Sequence, residues 1–343
     1  MLLASRMMRN ITGLAVGLLL GAAAVSVAGA EEATGALGAR LEKFDYPFTV
    51  HTFAFTDQQQ DLEMAYMDAK PEEGNGEVVL LLHGKNFSAA YWEATANRLT
   101  AEGYRVIMPD QIGFGKSSKP AHYHFTFQAL ANNTLALLDK LGVEKTHVLG
   151  HSMGGMLASR FALMYPDRTQ SLILENPIGL EDWKTKVPYP GVDKWYEGEL
   201  NKSAEGIQDY QLKSYYDGKW KPEYQPWVDM LVGMIKSEDY PAVAWNQALT
   251  YDMIFTQPVV YEFPLIKAPT LLIIGQRDTT AIGKNTVPEE VASIMGDYPA
   301  LGKKTAAAIP DSKLVEIDET GHLPHIESFD RFIDALLPFI ADK

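Results

Sequence analysis

Short apolar runs alternate with helical patterns from residue 77 to the end of the chain, and this alternation constrains the fold more than any other feature. Strands alternating with helices at this spacing form a parallel sheet that helices cover on both faces. An antiparallel edge is predicted ahead of them at 48–55 and 62–66. The later runs predict strands at 78–82, 104–108, 147–150, 172–174, 270–274 and 314–317, and helices at 89–101, 127–141, 153–164 and 326–340.

Residues 178–263 interrupt the alternation and are unusually aromatic. They hold five of the chain's six tryptophans. An insertion of this length between two core strands predicts a mainly helical cap. The predicted organisation is therefore a core of residues 31–177 and 264–343 with the cap at 178–263. Part of the cap's aromatic residues pack its own core, since buried aromatics dominate ordinary cores; the rest are expected to line a pocket.

Composition excludes several classes of partner and chemistry. The net charge is −14, which argues against nucleic acid and anionic membranes because both bind clustered Lys and Arg. The absence of cysteine excludes thiol nucleophiles, disulfides and thiolate metal sites. His122 and His124 alternate, but no carboxylate accompanies them at ligand spacing, so no metal site is predicted.

Residues 1–30 have the pattern of an export signal. Arg6 and Arg9 precede an apolar stretch at 11–27, and Ala28-Gly29-Ala30 provides small residues for cleavage after Ala30. A retained membrane anchor is the alternative, but glycines interrupt the stretch and its length is at the lower limit for spanning. The sequence predicts a periplasmic or secreted protein with no stable membrane association after cleavage.

The segment Gly150-His151-Ser152-Met153-Gly154 is a G-x-S-x-G motif between a predicted strand and a predicted helix. In this context the serine lies in a tight turn that exposes its hydroxyl at the helix N-terminus, where developing negative charge is stabilised. Ser152 is therefore the candidate nucleophile.

A serine nucleophile needs a base and a group that orients the base. Where the serine lies at such a turn, the acid and then the histidine follow it in the chain. His322 and His325 are the histidines beyond the motif. His322 lies in a loop after a strand and is the candidate base, whereas His325 begins the last helix. Asp278, just after the 270–274 strand, is the candidate acid, and Glu175 at the end of the preceding strand is its rival.

An oxyanion hole requires two N–H groups directed at the developing charge. Met153, after the nucleophile, is expected to supply one. The loop after the 78–82 strand is expected to supply the other, from Lys85 or alternatively from Asn86. The Lys85 side chain is expected to be solvated, and His83 is expected to brace the loop by hydrogen bonding.

Together these motifs resemble the α/β-hydrolase superfamily. The resemblance rests on Leu81-Leu82-His83-Gly84, the run 109–118 (PDQIGFGKSS), the Ser152 turn, Asp278 and Gly321-His322. It implies an eight-stranded, mostly parallel sheet, a cap over the site and no cofactor. Haloalkane dehalogenases and epoxide hydrolases of the superfamily use an aspartate where this chain has Ser152, which disfavours both activities.

The predicted function is cleavage of a carboxylic ester or lactone through an acyl-enzyme on Ser152, His322 and Asp278. A cofactor-free haloperoxidase or perhydrolase, a C–C or amide hydrolase, and a non-catalytic ligand receptor remain alternatives. The expected partner is a small ester-like molecule, and the oligomeric state is not determined by the sequence. The residues expected to contact the substrate are Asn86, Trp183, Trp195 and Trp245.

Overall fold

A computed structural model describes residues 35–343, which form a doubly covered α/β sheet. Eight strands lie in the order β1-β2-β4-β3-β5-β6-β7-β8. The pairs β1–β2 and β2–β4 are antiparallel, and all the others are parallel. The strands are β1 (Val50–Asp57), β2 (Gln60–Ala69), β3 (Val78–Leu82), β4 (Arg105–Pro109), β5 (Thr146–His151), β6 (Thr169–Glu175), β7 (Thr270–Gly275) and β8 (Ser312–Ile317).

Eleven α-helices accompany the strands within the described part of the chain. Those of the core connect consecutive parallel strands or follow the last one. The helices are α1 (Glu93–Ala101), α2 (Phe127–Lys140), α3 (Met153–Met164), α4 (Val192–Leu200), α5 (Ala204–Ser214), α6 (Gln225–Ile235), α7 (Tyr240–Thr256), α8 (Glu289–Ala292), α9 (Tyr298–Ala308), α10 (Pro324–Glu327) and α11 (Phe329–Ala341).

Alternate residues of each central strand pack against different helices, because successive side chains of a strand point to opposite faces. Leu80 and Leu82 of β3 join an apolar cluster with residues of α2 and α3. Val79 and Leu81 join a second cluster with residues of α1 and α11. Both faces of the sheet are therefore buried, which explains why its strands read as continuous apolar runs.

The predicted fold class, an eight-stranded and mostly parallel sheet with helices on both faces, is confirmed. The strand predictions agree with the structure to within a few residues. Two helical predictions need correction. The helix predicted at 89–101 begins with a 3-10 turn at Ala89–Trp92, and the closing helix is divided at Ser328 into α10 and α11. The helices α8 and α9 were not predicted.

The insertion between β6 and β7 contains α4 to α7, so this segment is mainly helical as expected. Helices α4 and α7 pack closely together. Their aromatic residues Trp195 and Tyr251 stack with ring centroids 5.1 Å apart. The insertion leaves the sheet at the carboxyl ends of parallel strands, the edge at which α/β proteins bind ligands.

The predicted export signal, residues 1–30, lies outside the described residues. Within residues 35–343 no helix has the length and apolar character needed to cross a bilayer.

Candidate active site

Ser152 occupies a strained turn between β5 and α3. Its backbone has φ 56° and ψ −121°, a conformation costly for a side chain other than glycine and tolerated where function requires it. The turn is tight enough to exclude side chains on both flanks: a Cβ at Gly150 would lie 2.1 Å from the Gly154 carbonyl oxygen, and a Cβ at Gly154 would lie 2.1 Å from that of Leu82. The two glycines of the motif are thus sterically required.

Asp278 and His322 form a buried hydrogen bond. Their Oδ2 and Nδ1 atoms are 2.6 Å apart, and both side chains are almost fully buried. The same Oδ2 accepts from Asn176 Nδ2 at 2.8 Å, and Oδ1 accepts from the Thr280 N–H at 2.8 Å. A carboxylate held by these donors fixes the orientation of the imidazole ring and stabilises its protonated form.

Glu175, the rival acid, holds a different histidine. Its Oε1 accepts from both the backbone N–H and Nδ1 of His325, each at 2.8 Å. The rival assignment is therefore corrected: Glu175 fixes the start of α10, and Asp278 is the carboxylate that meets His322. His325 has the structural place that the sequence suggested for it.

The loop of His322 is tied to the residue that precedes Ser152. His151 Nε2 donates to the His322 carbonyl oxygen at 2.7 Å, so its Nδ1 accepts from the Tyr91 hydroxyl at 3.0 Å. Burial lowers the pKa of His151 well below its usual value, and the neighbouring His322 and His325 lower it further. A neutral His151 suits this arrangement, because one ring nitrogen donates while the other accepts.

Tyr215 and Asn176 are site residues that the sequence did not reveal. Tyr215, just after α5, stacks on the His322 ring with centroids 4.9 Å apart and an interplanar angle of 20°. Asn176 joins Asp278 to β7, because its Oδ1 accepts from the Gly275 N–H at 2.8 Å. Asn176 directly follows β6 at the strand's carboxyl end, and that position was the signal available in the sequence.

The loop after β3 lies against the nucleophile. A Cβ at Gly84 would lie 3.1 Å from the Ser152 Cβ. His83 braces this loop, since its Nδ1 contacts the Gly84 carbonyl at 2.9 Å and its Nε2 accepts from the Gln111 N–H at 3.0 Å. Met153 is the first residue of α3, where N–H groups have no acceptor within the helix. The assignment of the Met153 and Lys85 N–H groups to an oxyanion hole remains a prediction.

The Lys85 side chain is not solvated, which corrects the sequence-based expectation. It is only 7% exposed, and its Nζ donates to Gln247 Oε1 at 2.7 Å. Nζ also lies 3.6 Å from Glu199 Oε1 and 3.5 Å from the centre of the Tyr251 ring. Lys85 is buried because the cap helices α4 and α7 cover the loop that carries it.

The four residues expected to contact substrate have different environments. Asn86 Nδ2 donates to the Tyr215 hydroxyl at 2.8 Å, and Asn86 lines a cavity between the loop and the cap. Trp195 stacks on Tyr251 and lines a neighbouring surface cleft of about 720 Å³. Both stay candidates for substrate contact.

The other two tryptophans have structural positions. Trp183 is buried in the main apolar cluster, and its indole N–H donates to Glu181. Trp245 donates its indole N–H to the Ala121 carbonyl and packs edge-on against Tyr196. Their role as substrate contacts stays a prediction. Trp183 completes the core, and Trp245 fastens α7 to a core loop.

Residues 35–343 contain no group of three or more histidine, aspartate or glutamate side chains that could hold a metal ion. Ser152, His322 and Asp278 supply the hydroxyl, imidazole and carboxylate groups that nucleophilic acyl chemistry requires.

Residues 77–329 match the family model described as the α/β hydrolase fold. The chain belongs to the α/β-hydrolase fold family. The match covers most of the chain, and it confirms the resemblance inferred from the sequence motifs and the prediction of an α/β-hydrolase enzyme.

Similar proteins are hydrolases. A crystal structure of a probable hydrolytic enzyme from Pseudomonas aeruginosa PAO1 superposes with a TM-score of 0.88 at 54% identity, covering 89% of this chain and 98% of that one. Lipase 1 of Psychrobacter immobilis is 30% identical over 77% of each chain. A 2-hydroxy-6-oxononadienedioate/2-hydroxy-6-oxononatrienedioate hydrolase of Comamonas testosteroni is 28% identical over 79% of this chain and 90% of that one.

Proposed function

We propose that this chain is an exported serine hydrolase that cleaves a carboxylic ester or lactone through an acyl-enzyme. The observation that carries the proposal is the buried hydrogen bond between Asp278 and His322, whose loop is tied to the residue preceding Ser152. A serine in a strained turn at the start of a helix and an imidazole oriented by a buried carboxylate are the groups that serine hydrolases use to activate a hydroxyl.

In the proposed reaction, the Ser152 hydroxyl transfers its proton to His322 Nε2 while its oxygen attacks the acyl carbonyl. The Met153 and Lys85 N–H groups stabilise the resulting oxyanion. His322 then protonates the departing alkoxide as the C–O bond breaks. Water, deprotonated by the same imidazole, attacks the acyl-enzyme and releases the acid. Asp278 stays ionised and stabilises the imidazolium in both halves of the reaction.

An ester or lactone is favoured over an amide because an alkoxide leaves more readily than an amine. The lipase among the relatives is consistent with this choice. Hydrolysis of a C–C bond beside a ketone is the second candidate, and the 28% identity to the oxononadienedioate hydrolase favours it. Assay of both an ester and a vinylogous 1,5-diketo acid with the same preparation separates the two activities.

The direct test is the Ser152→Ala variant assayed with 4-nitrophenyl butyrate. Removal of the nucleophile is expected to lower kcat by roughly 10⁴-fold or more, since the members of such a triad act as a unit. Circular dichroism of the variant serves as the folding control. Retention of wild-type turnover by the folded variant would refute the assignment.

Export of the chain is proposed from its N-terminal sequence. It rests on the charged start, the apolar stretch and the small residues that end at Ala30. Expression of the full chain in a Gram-negative host should yield a periplasmic protein whose N-terminal residue is Glu31. Recovery of the uncleaved chain in the membrane fraction would favour the anchor instead.

A further inference from the structure

Two lysines and one glutamate form a charged cluster between the loop after β3 and the cap, in which Lys85 and Glu199 are buried and Lys202 is 29% exposed. Lys85 comes from the loop after β3, Glu199 from α4, and Lys202 from the turn after α4. Glu199 is only 2% exposed; its Oε1 lies 3.6 Å from Lys85 Nζ, and its Oε2 lies 2.8 Å from Lys202 Nζ. The single Glu199 carboxylate is therefore paired with two ammonium groups.

The other polar groups around the cluster do not balance the second positive charge. Tyr240 donates its hydroxyl to Glu199, and Gln247 accepts from Lys85. Burial raises the pKa values of Tyr210, Tyr240 and Tyr251, so all three phenols stay neutral at physiological pH. With both lysines protonated, the cluster carries one excess positive charge, in a protein whose net charge is −14.

The excess charge borders a small cavity of about 30 Å³ beneath the cap and a larger surface cleft of about 720 Å³. Lys85, Glu199, Lys202 and Gln247 line the cavity beneath the cap, together with Asn86 and apolar residues of α6. A third lysine, Lys119, also lines it, with its Nζ donating to three backbone carbonyl groups of its own loop. Glu199 and Lys202 also line the surface cleft that Trp195 borders. Lys85 adjoins Gly84, which packs against Ser152, so the cluster includes a side chain of the loop that meets the nucleophile.

An uncompensated buried ammonium is unfavourable because it has lost its hydration. Burial lowers the pKa of Lys85 to about 7, against the opposing effect of Glu199. Lys85 can therefore release the excess charge as a proton when the cavity is empty. When an anion binds in the cavity, Lys85 can stay protonated, because the anion supplies a second negative charge beside the two lysines.

We propose that Lys85 and Lys202 form a subsite for a carboxylate of the substrate, so that the scissile bond belongs to a molecule with a free acid group. The inference deepens the proposed hydrolase function and rests on it for the position of the scissile bond. The competing interpretation is that the cluster only fastens the cap to the core.

Two pairs of esters that differ only in one charge test the subsite by turnover. The first pair, 4-nitrophenyl hydrogen glutarate and 4-nitrophenyl methyl glutarate, places the acid on the acyl side. The second, 4-acetoxybenzoate and its methyl ester, places it on the leaving group. We expect kcat/KM to be at least tenfold higher for the acid in one of the pairs, mainly through a lower KM.

Charge variants show whether the lysines cause that preference. Lys85→Met and Lys202→Met are each expected to reduce the acid-to-ester ratio at least fivefold, while Lys85→Arg retains most of it. The matched control is Lys194→Met on the same helix α4, whose exposed ammonium pairs with the exposed Glu197. The control should leave the ratio unchanged.

Binding to the Ser152→Ala variant tests the subsite without turnover. Calorimetry at pH 7.5 in two buffers of different ionisation enthalpy measures the protons taken up on binding. Monomethyl glutarate should bind with net proton uptake, and Lys85→Met should abolish that uptake. Dimethyl glutarate should bind more weakly and without proton uptake. Hydrolysis of the neutral esters with no acid preference in either pair would overturn the subsite and leave the hydrolase proposal standing. Proton-coupled binding of monomethyl glutarate without hydrolysis of any ester would support the subsite and refute the hydrolase proposal.

Discussion

At the residue scale, Asp278 and Glu175 show how two buried carboxylates at neighbouring strand ends take different roles. Both follow or end parallel strands, and both meet a histidine of the same C-terminal segment. Asp278 Oδ2 meets the ring of His322, while Glu175 meets both the ring and the backbone N–H of His325. The first pairing orients the imidazole of the candidate base, and the second fixes the start of a helix.

Asp278→Asn should therefore lower kcat with the fold intact. An amide at this position leaves the ring in the wrong tautomer and removes the charge that stabilises the imidazolium, an effect worth roughly 10⁴-fold in kcat where such triads have been mutated. Steady-state hydrolysis of 4-nitrophenyl butyrate measures it.

Glu175→Gln is the matched control, because it removes a buried carboxylate that pairs with the other histidine. It should lower the melting temperature while changing kcat far less than Asp278→Asn does. If Glu175→Gln were the more damaging of the two to kcat, the assignment of the acid would be reversed.

The sequence was sufficient to propose Ser152, His322 and Asp278, because motif context and chain order narrow the choice strongly. It could not reveal Asn176 or Tyr215. The Asn176 hydrogen bond to Asp278 joins residues 102 positions apart, and the Tyr215 ring reaches His322 from the cap. The first pairing depends on the neighbouring positions of β6 and β7 in the sheet and the second on how the cap docks, and residue patterns specify neither.

At the element scale, strands buried on both faces gave clear apolar runs, and the boundaries of β3 and α3 were predicted to the residue. Helix α9 was missed because its sequence, YPALGKKTAAA, lacks a strong apolar stripe. The division of the closing helix at Ser328 was missed because the apolar pattern continues through it.

The turn between β5 and α3 gives a stability prediction. Gly154→Ala should destabilise the protein by at least ~2 kcal/mol, because the added methyl group would collide with the Leu82 carbonyl and force β3 and α3 apart. Chemical denaturation monitored by tryptophan fluorescence provides the measurement.

Gly198→Ala is the control for helix propensity. Gly198 lies in α4, and apart from the helix's own backbone and the adjacent residues no atom lies within 4 Å of the position that an added methyl group would take. Alanine there should therefore stabilise the helix by about 0.5–1 kcal/mol. Equal effects of the two substitutions would show that the turn is less constrained than its geometry indicates.

At the scale of the whole molecule, buried neutral histidines couple stability to pH. Burial lowers the pKa values of His83 and His151, whereas an unfolded chain restores the ordinary value near 6.5. Below that pH the unfolded state binds protons that the folded state does not. Stability should therefore fall as the pH decreases from about 6.5, by up to ~1.4 kcal/mol per pH unit for each such group.

His151→Asn should flatten this dependence, because asparagine can still donate a hydrogen bond but does not titrate. His124→Gln, which removes an exposed imidazole, is the control and should leave the slope as in the wild type. Urea unfolding at pH 7, 6 and 5 gives the slopes. A wild-type stability that rises on acidification through this range would contradict the neutral state of the buried rings.

The cap and the sheet enclose the reaction centre together, and the central claim is that Ser152 within it is an activated nucleophile. Incubation of the purified protein with a fluorophosphonate probe, followed by peptide mapping with mass spectrometry, tests this claim most directly. The adduct should lie on Ser152, disappear in Ser152→Ala and form much more slowly in His322→Ala. An active preparation that leaves Ser152 unlabelled, or that carries the adduct on another residue, would contradict the account.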